Sequence, residues 1–130
     1  MCAIIYIIMF NFKKVLKRSL RKKHRNPKAK SLLYLNNKEL ARSFVNTKLI
    51  KLNSYYGFKY NRVAIRDQKT RWGSCSSRGN LNFNYKIIFL EDDLAEYIIV
   101  HELCHLSEMN HGPKFWKLVA EVIPNYAHLK

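Results

Sequence analysis

Residues 101–111 read His-Glu-Leu-Cys-His-Leu-Ser-Glu-Met-Asn-His, "HELCHLSEMNH". On a helix, at 100° per residue, His101 and His105 lie about 40° apart on one face. Leu94, Tyr97 and Glu108 share that face, and Ala95, Ile99, Leu103 and Leu106 take the opposite one. A helix with apolar neighbours nearly all round is a buried helix, and buried imidazoles need partners for their nitrogens. A Zn²⁺ ion meets that need, taking neutral imidazole at two corners of a tetrahedron. Glu102 then projects beside the metal, where a general base for an activated water must stand. Finger-type structural zinc is disfavoured, because no paired cysteines occur at its spacing.

His111 follows His105 by six residues, an offset that lets a chain leave the helix and double back with a third ligand. In metzincins the midpoint of that interval is Gly; here it is Glu108, so the reversal is expected near Asn110 and Gly112, which accept left-handed backbone. Glu121, 16 residues past His105 on the next helix, is the competing third ligand.

Outward from this stretch, Asp92 and Asp93 suit the positive N-terminus of the helix, which is expected to run to about Met109. After Gly112-Pro113 a short helix is expected to Val122. Upstream, Asn37 to about Tyr56 is helical, with Leu40, Phe44, Leu49 and Leu52 recurring and Gly57 closing the segment. Tyr60 to Arg66 alternates as a strand. "SSRGN" is a turn between short strands around Trp72–Cys75 and Leu81–Phe83, and Ile87–Leu90 is a further apolar run. The fold class is therefore α+β, with a small antiparallel sheet, a zinc-binding helix and flanking helices.

The net charge is +15 over 130 residues, but 10 of the 24 Lys and Arg residues lie between Lys13 and Lys30, ahead of the first acidic residue, Glu39. The rest carries about +5, an ordinary surface balance. Residues 13–30 read as a basic arm able to meet nucleic acid or another polyanion. The apolar start, Ala3–Phe10, is too short to span a bilayer and precedes its positive charge, the reverse of a secretory signal; it reads as a strand or a weak surface anchor. Three cysteines, Cys2, Cys75 and Cys104, with no CxxC pair, favour a reducing compartment, and a cytoplasmic protein is expected.

"TRWGSCSSRGNLNFN" (70–84) followed by "VHELCHLSEMNHGPKFW" (100–116) resembles the YgjP-like metallopeptidase domain family, a zincin-like group distantly similar to SprT-type proteases. The resemblance spans roughly residues 37–127. It implies His101, His105 and His111 as ligands of one zinc ion, Glu102 as catalytic acid/base, and a signature segment from Arg71 to Cys75. It divides the chain into 1–36, standing where family members carry a longer β-rich region, and a zincin-like domain, 37–130. Arg71 and Trp72 are candidate substrate contacts: Arg71 for an oxyanion, carboxylate or phosphate, within strands able to pair with an extended peptide. Against these functions stand an exposed Arg71 and a Trp72 that is plain core. The expected activity is zinc-dependent peptide-bond hydrolysis; the alternatives are a nucleotide hydrolase, or a nucleic-acid-binding protein with a vestigial zinc site.

Overall fold

The computed structural model describes the backbone of residues 27–130 and the side chains from residue 32 onward. The apolar run at 3–10 and residues 13–26 of the basic arm lie outside the described residues. Helix α1, Pro27–Tyr56, begins ten residues earlier than the periodicity suggests and runs continuously across the boundary expected at 36/37. Pro27 suits a first helical position, where its missing N–H is not needed. The extra turns escaped detection because their leucines form no stripe: Leu32, Leu33 and Leu35 are all exposed.

The buried stripe of α1 is Ala41, Val45, Leu49 and Leu52, at i, i+4, i+8 and i+11. Leu40, expected inside, is 60% exposed, and the small Ala41 takes the inward position. Gly57 ends the helix at φ 65°, its N–H donating to Asn53 O at 2.7 Å. Asn53 clamps the exit, accepting from Phe58 N and donating to Phe58 O.

Strands β1 (Arg62–Arg66), β2 (Gly73–Cys75) and β3 (Asn80–Asn84) form one sheet in the order β1-β3-β2. The sheet is mixed rather than antiparallel. β3 pairs with β2 antiparallel, Gly73 opposite Phe83, but runs parallel to β1, Ile65 opposite Phe83. The loop 67–72 carries the chain past the central position, so β1 cannot close a hairpin with β2. That leaves β2 as an edge strand among the described residues. Asn84, 4% exposed, secures the loop by donating through Nδ2 to Gln68 O and Arg71 O.

A 3₁₀ segment, Tyr85–Phe89, leads into α2, Asp92–Cys104. Lys48 of α1 reaches both Asp92 and Glu96, tying the two helices at their margin. From Tyr97 to Cys104 every residue of α2 is buried, as its all-round apolar pattern requires. Helices α3, Pro113–Val122, and α4, Tyr126–Leu129, close the fold, with Phe115 and Val119 turned into the core. No described helix is long and apolar enough to cross a membrane.

Candidate metal centre

Helix α2 stops at Cys104, five residues short of the expected end. His105 is its C-cap at φ −65°, ψ −16°, so it still continues the helical phase set by His101. Their Nε2 atoms stand 3.2 Å apart. Beyond the cap, Leu106 N donates to Leu103 O, and Ser107 N and Glu108 N both donate to Cys104 O. These bonds tighten the helix end and bend the chain without a left-handed residue. Gly112 has φ −78°, and no described non-glycine residue has positive φ. The reversal expected at Asn110 and Gly112 is instead spread over several ordinary conformations, which is why no glycine is needed at position 108.

The chain returns with His111, whose Nε2 lies 3.0 Å from that of His101. His105 Nδ1 donates to Glu108 O at 3.0 Å, which fixes its tautomer and leaves the Nε2 lone pair facing the other two rings. His101 is 2% exposed. Burial first, then the neighbouring His105 and His111, hold it down to about 3, so it is neutral at pH 7. His105 and His111 are lowered mainly by burial as well.

Three converging imidazole nitrogens cannot all be satisfied by one another, since each shared contact needs one N–H and one lone pair. A cation at their centre satisfies all three. Tetrahedral ligation at Zn–N distances of about 2.0–2.1 Å places nitrogens roughly 3.3 Å apart, close to the spacing found. The three histidines are thus able to hold a divalent metal. Glu121 is exposed and stands outside this group; its charge acts on Tyr56 and Cys104 instead.

Phe115 forms the floor, its ring centroid 4.6–4.9 Å from each of the three imidazoles. Its ring is fully buried and packs against all three imidazoles.

Glu102 is 3% exposed, and its side chain lies against Gly73 of β2. Burial pushes its carboxyl up to about 8, and the charge of Arg71 pulls the other way. Gly73 receives it: a Cβ on Gly73 would lie 2.6 Å from Glu102 Cγ and 2.7 Å from Oε1. The glycine of the "RWGSC" stretch therefore has a spatial reason that its sequence position alone does not reveal. Arg71 is exposed, while Trp72 is 4% exposed within the core and offers little surface to a substrate. Cys75 and Cys104 are raised to about 11 chiefly by burial, which leaves them as neutral thiols. A groove of about 490 Å³ opens beside His105, between Lys59–Asn61, the Ser76–Gly79 turn and Met109.

The pattern of the YgjP-like metallopeptidase domain matches residues 10–130. The chain belongs to the YgjP-like family. Two solved structures share its fold. The metallopeptidase zymogen of Pyrococcus abyssi abylysin is 26% identical over 65% of this chain and 87% of its own, with TM-score 0.59. The metallopeptidase zymogen of Methanocaldococcus jannaschii jannalysin is 26% identical over 68% of this chain and 88% of its own, with TM-score 0.53. A comparison with curated proteins gives no match. The fold is the α+β, zincin-like class expected from the sequence, and the family is one of metallopeptidases. A divalent metal and peptide substrates follow from that membership. The expected polyanion contact falls largely outside the described residues.

Proposed function

We infer that the protein is a zinc metallopeptidase, holding one Zn²⁺ with His101, His105 and His111 and using Glu102 as general base. The observation that supports this reading is the convergence of three imidazole nitrogens, with the buried Glu102 next to His101 on the same helix. Bound there, zinc supplies Lewis acidity, acidifying water and polarising a carbonyl. Three imidazoles, with no fourth protein donor in the group among the described residues, would hold the ion as catalytic rather than structural zinc sites do.

Glu102 accepts the proton of the attacking water at its carboxylate and returns it to the departing amine. A carboxyl whose affinity for protons has been raised toward neutrality by burial is suited to both transfers. Arg71, exposed and close enough for its charge to act on Glu102, limits that rise and would meet a substrate carbonyl or carboxylate. The edge of β2 that is unpaired among the described residues runs past Glu102 and offers main-chain pairing to an extended peptide. Trp72 anchors that strand from the core side.

The test is metal-dependent cleavage of an unfolded protein. Chelation should abolish it and stoichiometric zinc should restore it; cleavage unaffected by chelation overturns the reading.

A further inference from the structure

The groove beside His105 has a one-sided electrostatic lining that the proposed chemistry does not use. Lys59 and Arg78 stand on its walls with exposed side chains, and no carboxylate lines it. Neither cation makes an ion pair among the described residues, whereas Arg42, Lys48 and Lys51 all have acidic partners. The nearby polar groups are already engaged: Asn61 Nδ2 donates to Asn80 Oδ1, and Ser76 Oγ accepts from Asn80 N. Leu106 and Met109 add apolar surface, able to hold the aliphatic stem of a side chain.

The groove also follows directly on the strand that lies against Glu102. β2 begins at Gly73, against Glu102, and leads from Cys75 into the Ser76–Gly79 turn that forms one wall. A peptide paired along the β2 edge advances about 3.3 Å per residue, so the stretch from Gly73 to Ser76 corresponds to about three substrate residues. His105 lines the same groove, which makes it a continuation of the metal centre.

We propose that this groove is a specificity subsite for an acidic side chain, aspartate or glutamate, within about three residues of the scissile bond, read by Lys59 and Arg78. The proposal rests on the peptidase reading above and names the substrate class for that same site. Two partly exposed charge contacts are worth on the order of 10-fold in relative kcat/KM.

The experiment uses the full, zinc-loaded chain and a series of quenched fluorescent peptides, otherwise uncharged. Each carries a single Glu, Gln or Lys at one of three positions on either side of the scissile bond. The wild type should prefer Glu over Lys by about 10-fold at one position. In Lys59→Gln/Arg78→Gln that ratio should fall to near one, and in Lys59→Glu/Arg78→Glu it should invert. Both cations are exposed, so the fold is expected to tolerate the changes, with zinc content as the check. A preference that survives the substitutions, or is equal at every position, reflects net charge alone and overturns the subsite. If no peptide is cleaved, the peptidase reading fails, and the subsite is then judged by fluorescence anisotropy of the same peptides. Glu-selective binding lost in the double variants sustains it; unselective binding overturns it.

Discussion

Gly73 and Glu102 compete for one space: the Cβ that any other residue would place at position 73 falls 2.6 Å from the Cγ of Glu102 and 2.9 Å from its Cδ. Strand β2 therefore approaches the proposed base more closely than any side chain at position 73 allows. Gly73→Ala should leave the three histidines untouched and displace the Glu102 carboxylate. We expect zinc content to be retained and kcat to fall by about 10²-fold, within the range of a misplaced general base. Metal analysis and steady-state kinetics check this, and unchanged kcat would mean that the carboxylate position is not critical.

A second consequence concerns stability in the metal-free protein. The Glu102 carboxyl is raised from 4.5 to about 8, so its charged form is disfavoured in the folded state. The associated penalty is absent below pH 4.5 and grows as pH rises toward 8. Glu102→Gln, which keeps the shape and removes the ionisation, should stabilise the metal-free protein at pH 7 by roughly 2–3 kcal/mol. Denaturant unfolding of both metal-free proteins from pH 4.5 to 8 should show the variant's advantage over the wild type growing with pH, the titration of the three buried histidines being common to both. Parallel curves would show that Glu102 carries no burial penalty.

The third ligand is separable by substitution. His111→Ala should reduce zinc occupancy by about 10-fold or more, since one of three converging nitrogens is lost. Glu121→Ala should change it little, because that carboxylate faces solvent near Tyr56 and Cys104. Zinc titration of both variants decides the matter, and the opposite ranking would reassign the ligand.

The site was legible from sequence where it rests on helical periodicity. His101, Glu102 and His105 sit on one regular element, so their relative directions follow from 3.6 residues per turn alone. His111 could be anticipated from its offset, but not the manner of the turn, because a frayed helix end can reverse through several ordinary conformations. Gly73 and Phe115 carried no local signal, since each matters through a contact between elements distant in the chain. The same holds for the sheet: alternation marks a strand but not its neighbour, so the central place of β3 was invisible. The early start of α1 was hidden because its exposed leucines follow no face.

Hydrolysis as proposed depends on Glu102 acting as the base for a three-histidine zinc ion. The most direct measurement compares wild type and Glu102→Gln, each fully loaded with zinc, in cleavage of an unfolded protein substrate. Glu102→Gln should keep its zinc and fold and lose about 10²–10⁴-fold in rate. Undiminished cleavage by Glu102→Gln at full zinc occupancy would contradict the account.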